Sequence, residues 1–178
     1  MVKVFPLLFI LLWSSAFITT KPIIDNSDPF AALAFRFIIV AFGFFLFSIY
    51  SKQKIIIQKK NLIESFFSGV LFHGFYLGGV FFSISKGMPT GIAALIVTLQ
   101  PILTNALSGP ILNEKVTIKQ WIGVLLGFVG AAIVLGFDVG SDIPMIGLVA
   151  TIISLIAITA STIWQKKLSN NLPLSVSN

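Results

Sequence analysis

The chain has 178 residues, of which 56% are hydrophobic and only 10% charged, and its mean hydropathy is +1.00. Soluble domains carry roughly a quarter of their residues as charges, so too little polar surface is left here to cover a soluble globule, and most of this chain is solvated by lipid. The absence of cysteine excludes disulfides, thiolate nucleophiles and cysteine metal sites, and a single histidine excludes a His cluster, so no cofactor or metal centre is expected.

A membrane helix needs about 20 mostly apolar residues, and the sequence supplies six such stretches. The first runs from Val4 to about Ile24 and is uncharged until Lys21; Asp25, Asn26, Ser27, Asp28 and Pro29 then make a turn. Lys3, the apolar run and Ser14, Ser15, Ala16 imitate a signal peptide, but the run is longer than the usual apolar region of one, which favours a retained span. The second span is Phe30 to Tyr50 and contains Arg36. A loop with Lys52, Lys54, Lys59 and Lys60 precedes the third, about Leu62 to Ser85, and Lys86, Gly87, Met88 and Pro89 turn the chain again. The fourth, Thr90 to Leu112, contains Pro101 and ends near Pro110, Asn113, Glu114 and Lys115. The fifth occupies roughly Lys119 to Phe137, closed by Asp138, Gly140, Asp142 and Pro144. The sixth, Met145 to about Gln165, stops at Lys166 and Lys167 and leaves a polar tail with Ser169, Asn170, Asn171 and Pro173.

Alternating the loops across a bilayer puts Lys3, Lys52, Lys54, Lys59, Lys60, Lys115, Lys119, Lys166 and Lys167 on one side with only Glu64 and Glu114. The other side receives Lys21 and Lys86 with four aspartates. Lysine and arginine are retained on the cytoplasmic face, so both termini are expected inside. That face also accounts for the net +6 without nucleic acid as a partner. The expected fold is therefore an all-α integral membrane protein of about six transmembrane helices, N-in and C-in.

Polar groups inside the spans are the candidate functional residues, because lipid gives them no other reason to be there. Arg36 lies about seven residues into the second span, where it contacts an anion or carboxylate, snorkels outward, or pairs with Asp25 or Asp28. His73 either couples a proton or, as a lone His more often does, hydrogen-bonds a neighbouring helix. Gly87, Gly91, Ala94, Thr98, Pro101, Asn105 and Ser108 recur at spacings of three and four, placing small or polar groups on one helical face. The glycines read as packing; Thr98, Asn105 and the neighbouring Gln100 offer hydrogen bonds to a solute. Pro101 lacks the N–H that would bond the carbonyl near Val97 and predicts a kink. Trp13 and Tyr76 can stack on a solute or fill a helix interface, whereas Trp121 and Trp164 fit an aromatic belt at the cytoplasmic boundary. Gly74 with Gly78, and Gly123 with Gly127, read as helix-packing pairs.

Several of these groups together resemble a known family. Trp13, Ser14, Ser15, Ala16 and Phe17, then Lys21, Pro29, Ala34 and Arg36, are similar to the first two helices of the EamA-type drug/metabolite transporters. Gly69 and Tyr76, the run Gly91, Ile92, Ala93, Ala94, Leu95 with Pro101, and Glu114 before Gln120, Trp121, Ile122, Gly123, Gly127 and Gly130 extend the resemblance. It covers residues 1–137 as one five-helix repeat; residues 138–178 look like an outer loop, the first helix of an inverted second repeat and a cytoplasmic tail. Such families typically have ten helices, so the resemblance implies that four are missing and that the second repeat is incomplete.

The resemblance and the buried polarity imply secondary transport of a small polar metabolite or drug-like solute by alternating access, in a multi-pass cell membrane location such as the bacterial inner membrane. Trp13, Arg36, Tyr76, Thr98, Gln100 and Asn105 would line part of the path. The alternative is a non-transporting membrane subunit or a fragment of a ten-helix transporter. The expected partners are the lipid bilayer, a small-molecule solute, and a second copy or a complementary membrane chain. An enzyme is not expected, since no Ser-His-Asp set, H-E-x-x-H motif or paired intramembrane carboxylates occur, and no G-x-x-x-x-G-K-[ST] loop supports ATP-driven pumping.

Overall fold

A computed structural model of the chain describes residues 5–50, 59–112, 116–135 and 143–169. Lys3, Val4, Lys52, Lys54, Asn113, Glu114, Lys115, Phe137, Asp138, Gly140, Asp142, Asn170, Asn171 and Pro173, named above, lie outside the described residues. Among the described residues every regular element is helical. These are α1 (Phe5–Asn26), α2 (Pro29–Tyr50), α3 (Lys59–Gly69), a π-helical segment (Val70–Leu77), α4 (Gly78–Ser85), α5 (Thr90–Val97), α6 (Gln100–Leu112), α7 (Ile118–Leu135) and α8 (Met145–Ser169). Pro29–Tyr50, Leu62–Ser85, Thr90–Leu112 and Met145–Lys167 are each long and apolar enough to cross a membrane, and Ile118–Gly130 is a shorter apolar helix. The protein is an all-α membrane protein, as its composition requires.

Local chemistry sets the helix ends. Asp28 Oδ1 accepts hydrogen bonds from the backbone N–H of Phe30 and Ala31, both 2.9 Å, and Pro29 opens α2 at the position where its missing N–H costs nothing. At the start of α7, Gln120 Oε1 accepts from the Thr117 N–H at 2.8 Å and the Gln120 N–H reaches back to Thr117 Oγ1 at 3.4 Å, a reciprocal cap. Gly87, at φ +89°, ends α4 in the left-handed conformation. The Met88 N–H bonds the Ser83 carbonyl at 3.2 Å and the Gly87 N–H bonds that of Ile84 at 3.0 Å, closing the helix before Pro89.

The fourth predicted span is broken between α5 and α6 at Thr98 and Leu99. Pro101 cannot donate to the carbonyl four residues back, and the Leu99 N–H bonds Ile96 at 3.1 Å in a tighter turn instead. Where the sequence predicts one small or polar face along this span, the break divides it, and Thr98 and Pro101 are exposed while Ala93 and Val97 are buried.

α3, the π-helical segment and α4 run on as one membrane helix, the third helix, and the core lies where α8 crosses it and α5. Tyr76, Val80, Ile84, Met88, Ala93, Val97, Ala157 and Ile158 form one buried cluster. Half of the α8 span is buried, against 6% of α2, so α8 is the central element and α2 faces outward. Hydroxyls join α8 to the third helix: Ser83 Oγ donates to the Gly147 carbonyl at 2.7 Å and lies 2.7 Å from Thr151 Oγ1, and Ser68 Oγ lies 3.2 Å from Ser161 Oγ. In lipid such contacts satisfy polar groups that apolar neighbours cannot.

The tightest approaches are at Gly79 and Gly147; of the glycine pairs read from the sequence, Gly78 faces the Phe30 ring of α2, 3.7 Å from an added Cβ. A Cβ on Gly79 would overlap Ser154 Oγ and come within 3.2 Å of the Ala150 carbonyl; one on Gly147 would lie 3.1 Å from Met88 Cβ. Nothing among the described residues lies within 4 Å of a Cβ built on Gly123 or Gly127, and Gly74 meets only Val70 of its own helix.

Candidate functional site

One cavity of about 320 Å³ lies between α1, α2 and the third helix. From α1 it is lined by Leu12, Trp13, Ala16 and Thr20, which share a helical face by their spacing. From α2 come Arg36, Phe37 and Val40. The π-helical segment supplies Phe72, His73, Tyr76 and Leu77, and α4 supplies Val80 and Phe81. Every lining residue of the third helix N-terminal to Gly78 thus falls inside the π-helical segment, a local geometry found disproportionately at functional sites.

The wall is aromatic and its rings meet edge to face. The Phe37 and His73 centroids are 4.7 Å apart at 66°, those of Phe72 and His73 5.0 Å apart at 74°, and those of Phe72 and Tyr76 5.3 Å apart at 68°. These are favourable T-shaped arrangements that fix the ring planes. Tyr76 is 2% exposed and anchors the cavity in the core, whereas Trp13 at 39% and Arg36 are exposed. Thr20 is buried and donates its hydroxyl hydrogen to the Ala16 carbonyl at 2.6 Å, leaving the oxygen able to accept.

Arg36 is the one lysine or arginine among the lining residues, and no aspartate or glutamate accompanies it. Neither carboxylate of the α1–α2 turn pairs with it: Asp25 forms an ion pair with Lys21 at 3.3 Å, and Asp28 caps α2. Arg36 sits seven residues past Pro29, so its Cα lies about 10 Å along the helix from the α2 start at 1.5 Å per residue.

Of the six residues singled out in the sequence, the structure brings Trp13, Arg36 and Tyr76 together. It places the other three elsewhere. Thr98 is exposed at the α5–α6 break and donates to the Leu95 carbonyl at 2.6 Å. Gln100 Nε2 bonds Thr104 Oγ1 at 3.2 Å and Thr162 Oγ1 of α8 at 3.3 Å. Asn105 is half-buried on α6, where its carbonyl accepts from Ser108 Oγ at 3.0 Å. None of the three lines the cavity. The lining residues that the sequence reading passed over had a signal: Ala16 and Thr20 stand three and seven residues beyond Trp13, Val40 four beyond Arg36, and Phe72 and Val80 four either side of Tyr76. His73 was weighed for proton coupling or helix contact; here it is part of the aromatic wall.

Comparison with known proteins bears on this geometry. Residues 3–136 match the EamA-like transporter family. A protein of Salmonella typhimurium named a probable amino-acid metabolite efflux pump is 26% identical over 168 residues, covering 94% of this chain and 54% of its own length. The protein of the same name from Escherichia coli is 25% identical over 169 residues with the same coverage, and an uncharacterized transporter of Archaeoglobus fulgidus is 27% identical over 161 residues, covering 88% of this chain and 54% of its own. The chain thus spans about half the length of these curated relatives. No solved structure gives a significant match.

Proposed function

The chain belongs to the EamA-like transporter family, and from that premise we propose that it forms a solute path in secondary, gradient-driven transport of a small metabolite by alternating access. The observation that carries this reading is the cavity, in which α1, α2 and the π-helical segment present Trp13, Arg36 and Tyr76 to the same space. A volume of about 320 Å³ lies at the small end of ligand pockets. The efflux-pump names of the two enterobacterial relatives support an amino-acid-derived metabolite as the cargo. We place the six spans in the bacterial inner membrane with both ends cytoplasmic, and put Thr98, Gln100 and Asn105 on a continuation of the path beside the α5–α6 break. The reading assigns no catalytic residue.

Purified chain reconstituted in proteoliposomes is expected to give saturable flux of an amino-acid-derived metabolite, reduced at least about tenfold by Arg36→Ala in folded protein; tenfold corresponds to about 1.4 kcal/mol of lost interaction. Flux that is unchanged by this substitution would remove Arg36 from the path. The half-length match favours a second reading, in which the chain works with a second copy or a complementary membrane chain. On that reading flux is absent from the folded chain alone and appears on co-reconstitution with that partner.

A further inference from the structure

The lining chemistry says which end of a solute goes where. Arg36, exposed on α2, is the cationic side chain of the lining, and no carboxylate lines the cavity to receive a cation. The aspartates nearest in sequence are engaged with Lys21 and with the start of α2. A guanidinium is shaped for bidentate pairing with a carboxylate, and out of bulk water that pairing is stronger. Apart from Thr20 and His73 the rest of the lining is aliphatic or aromatic, and Tyr76 is its most deeply buried residue.

We infer that this cavity takes a monocarboxylate with an aromatic body and no α-ammonium group, carboxylate on Arg36 and ring among Phe37, Phe72 and Tyr76. The inference rests on the proposed reading of the cavity as a solute site and specifies its substrate class. An α-amino acid carries its ammonium two bonds from the carboxylate carbon. Bound by its carboxylate, it holds that cation within a few ångströms of the guanidinium, where like charges repel more strongly than in water and no acidic side chain offsets them. Removing the amine removes the repulsion and leaves the ring contacts intact. An amine without a carboxylate loses the one charge pairing the cavity offers.

Trp13 lines the cavity, so its fluorescence reports occupancy once Trp121→Phe and Trp164→Phe silence the other two tryptophans. The full chain in detergent is titrated with 3-phenylpropionate, phenylalanine and phenethylamine. The expected result is saturable change with 3-phenylpropionate at an affinity at least about tenfold above phenylalanine, with phenethylamine weakest. Arg36→Gln is expected to level the three, and Arg36→Lys to keep the order at lower affinity, in protein with an unaltered helical spectrum. Phenylalanine or phenethylamine binding as tightly as the acid overturns the inference and leaves the cavity a solute site. No saturable response to any of the three overturns both.

Discussion

At the residue scale, Arg36 and Asp28 show how one turn of sequence divides its charges. Asp28 is committed to two backbone N–H groups at the head of α2 and Asp25 to Lys21, so Arg36, seven residues deeper than Pro29, faces the cavity without either. Of the alternatives the sequence leaves open for this arginine, pairing with the turn is not the one seen, since Asp25 holds Lys21 and Asp28 holds the head of α2. Gly87 is the residue whose conformation allows least substitution. Gly87→Ala places a Cβ on a left-handed residue at φ +89° and is expected to cost about 1–2 kcal/mol, read as a lower midpoint in thermal unfolding in detergent. Gly123→Ala is the contrast: an added Cβ meets nothing within 4 Å among the described residues, and the helix gains up to about 1 kcal/mol of propensity, so stability should hold or rise. A loss at Gly123 would show that its face is covered in the membrane.

At the element scale, the third helix carries two jobs at once, and its π-helical segment turns four side chains into the cavity while α4 continues onto α8. The contact with α8 is short because Gly79 admits it. Gly79→Ala is expected to destabilise by about 1–2 kcal/mol through overpacking, since its Cβ meets Ser154 Oγ and the Ala150 carbonyl. Ser154→Ala in that background removes the worst overlap and should recover part of the loss, with the 3.2 Å approach to the Ala150 carbonyl setting the remainder. The two changes measured singly and together by detergent unfolding give a coupling energy; strictly additive effects would mean that α4 and α8 are not in contact as described.

At the scale of the whole molecule, the helix beyond residue 137 is the one on which α3, the π-helical segment, α4, α5 and α6 pack, with half of its span buried. The family match ends at residue 136, yet the core cluster unites Ala157 and Ile158 of α8 with Tyr76, Val80 and Ala93. Shortening the chain at residue 137 should therefore leave the third helix and α5 with exposed small and hydroxyl groups and give no monodisperse protein. Orientation is testable because the chain contains no cysteine. Ser27→Cys, exposed in the α1–α2 turn, is expected to react in intact cells with an impermeant maleimide. Lys119→Cys, exposed at the start of α7, should react only after permeabilisation. The reverse pattern would invert the positive-inside assignment.

That the protein lives in lipid, the approximate extent of its apolar spans and a distortion near Pro101 are legible in the sequence, because each depends on local composition: apolar length, turn-forming residues, a proline without its N–H. The sequence also carried the family, and it named Trp13, Arg36 and Tyr76, whose chemistry is conspicuous inside a span. Tertiary structure alone decided that these three share a cavity while Thr98, Gln100 and Asn105 do not. It also decided that Gly79 and Gly147, not Gly123 and Gly127, are the close-approach glycines, and that Val70–Leu77 is a π-helix. Periodicity places residues on a face of their own helix; which faces meet depends on how helices far apart in sequence interlock, and in this chain that is set by α8 fitting its hydroxyl and small residues against the third helix.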